Sequence, residues 1–225
     1  MKITFITGAG VSKESGVPTY RDSNDGLWLE YKVEEVSTAQ AYAADPKKVI
    51  DFHNMIRKKL DTVKPNAAHK MIADLDKDHD VWVVTQNVDD LHERAGSKNV
   101  LHLHGELRKC RSSENPALTY PYDKDIEIGD TAEDGSQMRP NVVWFGEAVP
   151  DYGKACLKVG RADVVVIVGT SLLVTPASNL VEYVRESAKL YVVDPDDHPY
   201  NIPGRAEHIK MPATKGMAKF LKTLS

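Results

Sequence analysis

The sequence predicts an α/β fold in which helices cover both faces of a doubly wound, largely parallel sheet. Short apolar runs rich in β-branched residues lack polar alternation, which is typical of strands buried on both faces. These runs occupy residues 3–7, 81–85, 164–168 and 190–193. Segments with helical periodicity lie between or beside them at residues 47–60, 66–75 and 179–188. Alternation of this kind indicates parallel strands, because their crossover connections are usually helices.

Two stretches interrupt the alternation and predict a smaller lobe. Residues 31–68 carry helical periodicity without a strand, and residues 109–139 are polar without clear periodicity. We expect these two insertions to pack together beside a large lobe formed by residues 1–30, 69–108 and 140–225. A chain of 225 residues can bury such a core within one domain, without disulfides or metals.

Composition and charge exclude several classes of partner. The net charge is −4 and hydrophobic residues make up 41% of the chain, so bulk attraction to nucleic acid or to an anionic membrane is not expected. No apolar run approaches the ~20 residues that a membrane span needs. The two cysteines, Cys110 and Cys156, lie far apart, and the N-terminus turns polar too early for a secretory leader. We therefore expect a reducing, cytoplasmic location.

A glycine-rich turn follows the first apolar run. Gly8, Ala9, Gly10 and Ser12 stand between a predicted strand and residues that can begin a helix. Glycines let the backbone approach a ligand closely, and amides at the start of a helix favour anions. The usual dinucleotide motif has a third glycine where this chain has Lys13. The turn is therefore either a phosphate-binding loop or a tight strand-to-helix connection.

Polar residues also follow the other predicted strands, at the edge where open α/β sheets bind ligands. They are Gln86, Asn87 and Asp89 after the second run, Gly169, Thr170 and Ser171 after the third, and Asp194 after the fourth. Each set is also ordinary as a turn or helix cap.

A histidine pair alternates along a short extended segment. His104 and His102 occupy alternate positions, so we expect them to share one face. His104 is followed by a glycine, which leaves room for a substrate beside a general base. A lone histidine in such a place is more often a hydrogen-bonded structural residue.

Five blocks of sequence together resemble the sirtuin family. The first runs from residue 8 to residue 21, where a Gly-Ala-Gly turn is followed by Ser12, by Ser-Gly-Val-Pro and by the pair Tyr20-Arg21. The others, in the order in which the family has them, are residues 85–92, 103–105, 139–147 and 169–176. The resemblance runs from about residue 3 to the end and weakens in the two insertions.

The resemblance implies an enzyme that uses NAD to remove acyl groups from lysine side chains of proteins or peptides, with a Rossmann-like NAD-binding lobe. It implies His104 as the catalytic base and Asn87 as a catalytic residue of the nicotinamide pocket. Tyr20, Arg21 and the polar residues at the strand ends would bind the cofactor, and Asp194 favours NAD over NADP because a carboxylate repels a 2′-phosphate. Val143, Phe145 and Gly146 would bind the substrate.

The chain departs from the family at the zinc site. Most sirtuins hold a structural zinc with two Cys-x-x-Cys pairs, and the matching positions here are Cys110, Ser113, Thr131 and Asp134. One cysteine with hydroxyls and a carboxylate is a poor zinc site. We expect no metal.

A second departure concerns the acyl group. Sirtuins that remove succinyl or malonyl groups carry a Tyr-x-x-Arg pair, and His53 and Ile56 occupy those positions here. Arg57 stands one residue late, and one residue rotates a helical side chain by about 100°. We expect His53 and Ile56 to line the acyl site and acetyl groups to be preferred. The surrounding sequence, including residues 64–69, nevertheless most resembles this bacterial-type branch, so removal of acidic acyl groups stays an open alternative.

Two other functions remain open from the sequence. One keeps the cofactor but changes the acceptor, as in ADP-ribosyl transfer or NAD hydrolysis. The other is a non-catalytic NAD-binding module, which would not need Asn87, Asp89 and His104 together. The sequence leaves the protein substrate and the oligomeric state undetermined.

Overall fold

The computed structural model describes residues 1–18, 31–197 and 202–224. Its first half contains β1 (Lys2–Thr7), α1 (Ala9–Lys13), α2 (Val33–Val36), α3 (Ala39–Ala44), α4 (Pro46–Thr62), α5 (Ala67–Asp74), β2 (Asp80–Thr85), α6 (Leu91–Ala95), β3 (Val100–His102) and β4 (Gly105–Ser112). Its second half contains β5 (Thr119–Pro121), β6 (Met138–Val142), α7 (Tyr152–Arg161), β7 (Val164–Val168), β8 (Lys189–Val193), β9 (Glu207–Ile209) and α8 (Ala213–Leu224). Short 3₁₀ helices occupy Leu75–Lys77 and Ala177–Tyr183.

The large sheet confirms the predicted fold class. Its six strands run in the order β3-β2-β1-β7-β8-β9, and every pairing in it is parallel. The chain therefore builds outward from β1 on one side and from β7 on the other, so the sheet is doubly wound. All four predicted strands are present. The sequence did not reveal β9, because a three-residue strand is too short to show a pattern. The extended segment expected to carry His102 and His104 is strand β3 only as far as His102, and the chain turns at residues 103–104.

Alternate side chains of the large sheet enter two separate cores. On one face Ile3 and Phe5 pack with residues of α5 and α8, including Ile72 and Phe220. On the other face Ile6 packs with α7 and the Ala177–Tyr183 segment. Burial on both faces explains why β1 and β7 contain apolar residues without alternation.

The predicted helix at residues 179–188 is wrong. The chain forms a 3₁₀ helix at Ala177–Tyr183, and β8 begins at Lys189. Ala177 and Leu180 are buried three residues apart, a spacing that a helix of three residues per turn also places on one face. The α-helix that covers this part of the sheet is α7, which the sequence did not predict.

The predicted helices at residues 47–60 and 66–75 correspond to α4 and α5. Asp45 caps α4 by accepting a hydrogen bond from the Lys48 amide at 2.9 Å, and Pro46 begins the helix. Asn66 and His69 form a capping box at the start of α5. In the described part of the chain, no helix is both long and apolar enough to cross a membrane.

A second sheet includes part of the insertion at residues 109–139 and extends beyond both its ends, from Gly105 to Val142. It is antiparallel, with the order β5-β4-β6. Its strands escaped prediction because β4 mixes charged and buried residues without strict alternation. The limits proposed for the two lobes remain a prediction.

Arg57 joins α4 to this second sheet. The side chain is only 2% exposed, and its Nε donates to the Leu107 carbonyl of β4 at 2.7 Å. Nη1 donates to Asn54 Oδ1 at 2.6 Å and to the Lys124 carbonyl at 3.1 Å. Asn54 in turn pairs with the backbone of Ile126 through both its amide atoms. One buried cation thereby links a helix, a strand and a loop.

The tight contact between α8 and the sheet gives a stability prediction. A methyl group on Gly216 would lie 2.3 Å from Cγ1 of Val193, whose branched side chain is stiff. Overpacking costs about 1–3 kcal/mol and outweighs the ~1 kcal/mol of helix propensity that alanine adds. We therefore expect Gly216→Ala to lower the free energy of unfolding, measured by urea denaturation.

Gly153→Ala is the matched control. Gly153 lies in α7 with nothing within 4 Å of the added methyl, so this variant should be as stable as the wild type or more so, by up to ~1 kcal/mol. Equal stabilisation by both substitutions would contradict the packing argument.

Candidate active site

The predicted site residues after β1 and β7 meet in a close backbone contact. The Gly8 amide donates to the Val168 carbonyl at 3.1 Å, and the Gly10 amide donates to the Gly169 carbonyl at 2.8 Å. A Cβ on Gly10 would lie 2.7 Å from Cα of Gly169. Glycine at position 10 is therefore required by the packing of the two turns. Ala9 lies between the two glycines at the start of α1.

The turn after β2 joins the same edge of the sheet. Gln86 Nε2 donates to Oγ1 of Thr170 at 2.9 Å, and that oxygen also accepts from the Leu172 amide. Ser171 follows Thr170 at the end of β7, and the buried Asp194 follows β8, where its Oδ1 accepts from the Asp196 amide. The predicted cofactor-binding residues of four strands thus lie along one edge.

Ser12 is the centre of a buried hydrogen-bond network. Asn87 Nδ2 donates to the Ser12 hydroxyl at 3.1 Å, and this hydroxyl donates to Oδ2 of Asp89 at 2.9 Å. His69 Nδ1 accepts from the Asn66 amide, so its Nε2 carries the proton and faces Ser12 Oγ at 3.4 Å. Burial raises the pKa of Asp89, although bonds from the Leu91 amide and from Ser12 oppose it. Ser12 Oγ thus connects Asn87, Asp89 and His69 in one buried cluster.

Two further histidines, His69 and His92, lie beside this network. Their rings lie 4.8 Å apart, and His92 Nε2 is 3.1 Å from Thr7 Oγ1. Burial lowers the pKa of His69 to about 4 and that of His92 well below 6.5. Both imidazoles are therefore neutral. The Asn66-x-x-His69 capping pattern was the available signal for the first of them.

His104 is anchored by one ring nitrogen. Nδ1 lies 2.9 Å from the Gln86 carbonyl, which can only accept, so Nδ1 carries the proton of the neutral ring. Nε2 is then the unprotonated nitrogen. Burial lowers the pKa of His104, and the bond to Gln86 opposes this only in part. At neutral pH the side chain is a base ready to accept a proton.

The predicted substrate-binding residues form a tight turn. The Glu147 amide donates to the Trp144 carbonyl at 3.0 Å, and Gly146 has a φ of +87°, which favours glycine. The Val143 amide bonds the His104 carbonyl, and the Phe145 amide bonds the Ser37 carbonyl. Alternate amides of this segment are therefore already hydrogen-bonded within the protein. The Phe145 side chain is 51% exposed.

Glu147 holds this turn in place. Its carboxylate accepts from the Trp144 amide at 2.8 Å and from Arg139 and Arg111, whose side chains are only 6% and 10% exposed. The Arg139 guanidinium lies 3.1 Å from the centroid of the Trp144 ring. Burial alone would raise the pKa of Glu147, but the bonds from Arg139 and the Trp144 amide lower it. Removing this carboxylate would leave two buried cations without their counter-ion.

His53 and Ile56 lie close to Trp144. His53 is 3% exposed, its Nδ1 lies 2.8 Å from the Val49 carbonyl, and its ring centroid is 6.3 Å from that of Trp144. Burial lowers the pKa of His53 to about 4. Ile56 packs against the hydrophobic cluster that contains Trp144. Both side chains are neutral.

The positions that match the family's zinc ligands have other contacts. Cys110 is buried, with its thiol 3.6 Å from the sulfur of Met138. Asp134 accepts from the Ser112 and Ser136 hydroxyls at 2.6 and 2.7 Å. Among the residues that the structure describes, no group of three or more histidine, cysteine, aspartate or glutamate side chains could hold a metal ion. Tyr20 and Arg21 lie outside the described residues.

Known proteins with this arrangement are numerous. The sequence model of the Sir2 family matches residues 8–176. An NAD-dependent protein deacylase of Helicobacter pylori is 44% identical over 222 residues, which cover 99% of this chain and 96% of the relative. An NAD-dependent protein deacylase of Bacteroides thetaiotaomicron is 49% identical over 199 residues, 86% of this chain and 85% of the relative.

A solved structure of a Sir2 homologue in complex with NAD has the same fold. It is 38% identical and superposes with a TM-score of 0.87, covering 99% of this chain and 88% of the homologue.

Proposed function

Because the chain belongs to the Sir2 family and is an NAD-dependent protein lysine deacylase, we propose that His104 is its general base and that its acyl site accepts neutral groups. The role proposed for His104 rests on the hydrogen bond from its Nδ1 to the Gln86 carbonyl. It leaves an unprotonated Nε2 beside the turn that holds Asn87, where a base can take a proton from a ligand.

The residues present suit the binding of NAD. Donors of the turns after β1 and β7, with Gln86, can hold phosphate and ribose oxygens, and Asp194 can accept from ribose hydroxyls. When bound, NAD supplies a ribose carbon from which nicotinamide leaves as the acyl oxygen adds. Asn87 and Asp89 orient the nicotinamide end, and His104 takes a hydroxyl proton at Nε2, which lets the acyl group pass to the ribose.

The turn at residues 143–147 favours a peptide acceptor over water or a simple transferase substrate. The exposed Phe145 ring and the Gly146 backbone offer an apolar wall and an accessible main chain for an extended peptide that carries the acylated lysine. A module that only binds NAD would need neither this surface nor a neutral base.

The acyl preference follows from the charges near Trp144. His53 is a neutral imidazole and Ile56 is apolar. Arg57 follows Ile56 directly in the sequence, but its Nε and Nη1 already donate hydrogen bonds to Leu107, Asn54 and Lys124. The other cation beside Trp144, Arg139, is paired with Glu147. An acidic acyl group would therefore be buried here without a free counter-ion, which is costly. Acetyl and other neutral groups are therefore the expected substrates.

A cytoplasmic location stays a prediction, supported by the free thiols of Cys110 and Cys156.

The role proposed for His104 is tested with an acetyl-lysine peptide, with and without NAD, followed by mass spectrometry. We expect NAD-dependent loss of the acetyl group, and loss of activity by about 100-fold or more in His104→Ala. NAD binding, measured by calorimetry, should persist in this variant. His79→Ala, before β2 at the opposite end of the strand, is the matched control and should keep full activity. Undiminished turnover by His104→Ala would contradict the assignment.

The same base predicts an acid limb in the pH profile. A base acts only when deprotonated, so kcat/KM should fall as the pH drops through the pKa of His104. Burial places that pKa below 6.5, and the limb should therefore lie below pH 6.5.

The acyl preference is tested with acetyl and succinyl versions of one peptide. We expect kcat/KM for the acetyl peptide to be higher by about tenfold or more, which corresponds to ~1.4 kcal/mol. The double variant His53→Tyr, Ile56→Arg should narrow the difference, because it introduces a cation and a hydroxyl donor. Ile56→Met is the uncharged control and should leave the preference unchanged. Equal turnover of both peptides by the wild type would refute the preference.

We also propose that the second sheet and its loops need no zinc. The polar cluster of Ser112, Asp134 and Ser136 and the cation of Arg57 tie together the segments around Cys110. We expect the purified chain to contain no stoichiometric metal by mass spectrometry and to keep its melting temperature in chelator. One zinc per chain that resists dialysis would overturn this proposal.

A further inference from the structure

His102 makes two short hydrogen bonds that no catalytic role explains. Its side chain is 6% exposed. Nδ1 lies 2.8 Å from the Asn87 carbonyl, and Nε2 lies 2.8 Å from Oε1 of Glu93 in α6. The ring therefore connects the turn after β2 with the following helix.

The partners determine the charge of this ring. A backbone carbonyl and a carboxylate both accept, so each ring nitrogen needs a proton and the side chain is an imidazolium. Burial alone would lower the pKa of His102, but the hydrogen bond and the charge of Glu93 outweigh it and raise the pKa above 6.5. The pKa of Glu93 is lowered by the same bond against the effect of its own burial. The two groups form a partly buried ion pair.

His102 and His104 act on consecutive carbonyls. Nδ1 of His104 donates to the carbonyl of Gln86, and Nδ1 of His102 donates to the carbonyl of Asn87. The two rings differ in charge because only His102 has a carboxylate at its second nitrogen.

Among the described residues, the hydrogen bond from His102 is one of four that hold Asn87 in place. The Asn87 amide donates to Thr85 Oγ1 at 3.0 Å, and Nδ2 donates to the Gly8 carbonyl and to Ser12 Oγ at 3.2 and 3.1 Å. With its carbonyl held by His102, Oδ1 is the one polar atom of Asn87 left for a ligand, as far as the described residues show. A change at His102 would therefore move a group that faces the nicotinamide end of the site.

We propose that His102, through its ion pair with Glu93, is a positioning residue for the cleavage of NAD, and that its imidazolium keeps Asn87 in the productive orientation. This inference rests on the proposed function. His102 acts through Asn87 and takes no part in the proton transfer of His104.

Other charged groups surround the pair without touching the ring. Glu106 of β4 adds to the negative field at His102 but bonds Lys109 at 2.6 Å. The charge of His102 also acts on Asp89, where it opposes the effect of burial on the pKa, and on the neutral His92, where it adds to the lowering of the pKa by burial.

The ion pair predicts an alkaline limb in the pH profile. His102 holds Asn87 while both ring nitrogens are protonated. As the pH rises through the raised pKa of His102, the one remaining proton stays at Nε2 with the Glu93 carboxylate, the stronger acceptor, and Nδ1 no longer donates to the Asn87 carbonyl. NAD cleavage, measured as nicotinamide release under saturating substrates, should therefore fall on the alkaline side through His102 and on the acid side through His104.

Three variants test the proposal. In His102→Asn the amide nitrogen occupies the place of Nδ1 and does not titrate, so turnover should persist while the alkaline limb disappears. His102→Leu removes the donor and should lower kcat by about tenfold or more, with a smaller change in the KM for NAD. Glu93→Gln removes the counter-charge and should move the alkaline limb to lower pH. Glu106→Gln, an acidic neighbour without contact to the ring, is the matched control and should move it less.

Nuclear magnetic resonance titration of the His102 ring in the wild type gives a readout independent of turnover. We expect protonation of both nitrogens at pH 7 and a lower midpoint in Glu93→Gln. A neutral ring at pH 7, or an alkaline limb unchanged in His102→Asn, would overturn the inference. If the wild type released no nicotinamide and removed no acyl group, the proposed function would fail instead, whatever the state of His102.

Discussion

The site depends on one close backbone contact, between the turn after β1 and the turn after β7. Gly8 and Gly10 bond the carbonyls of Val168 and Gly169, and Gly169 bonds the carbonyl of Val193 in the next strand. A side chain at Gly10 would separate the turns. Because Asn87 donates to the Gly8 carbonyl and Gln86 to Thr170, the turn after β2 is positioned by the same contact. Separation of the turns would displace the cofactor residues of three strands together.

Buried cations organise the rest of the molecule in a similar way. Arg57 links α4, β4 and a loop, and Arg139 links β6 to Glu147 and to the Trp144 ring. A buried guanidinium is favourable only when carbonyls or carboxylates satisfy its donors. Arg57 bonds the carbonyls of Leu107 and Lys124, which are 50 and 67 residues away in the sequence. Arg139 bonds Glu147, eight residues on. The first arginine therefore joins distant segments, and the second fixes a local turn.

The histidines of the site show how local partners set the charge of one residue type. His69, His92 and His104 are buried without a carboxylate partner, and burial lowers the pKa of each. His102 is equally enclosed but bonds Glu93, and its pKa is raised. A neutral base and a cation can therefore stand two residues apart, His102 at the end of β3 and His104 in the turn that follows. This division suits a reaction that needs a proton acceptor next to a rigid amide.

The sequence by itself determined the α/β class, four of the six strands of the large sheet, the helices α4 and α5 and the family. Strands buried on both faces appear as continuous apolar runs, and helices with one apolar face show a helical period, and both signals are visible in a single sequence. The resemblance to sirtuins named His104, Asn87 and the strand-end residues without showing their contacts. Tertiary structure alone decided the 3₁₀ segment at Ala177–Tyr183, the antiparallel second sheet and the roles of Arg57, His69 and His102. Their partners lie up to tens of residues away, and a hydrogen bond or an ion pair across such a separation leaves no periodic trace in the sequence.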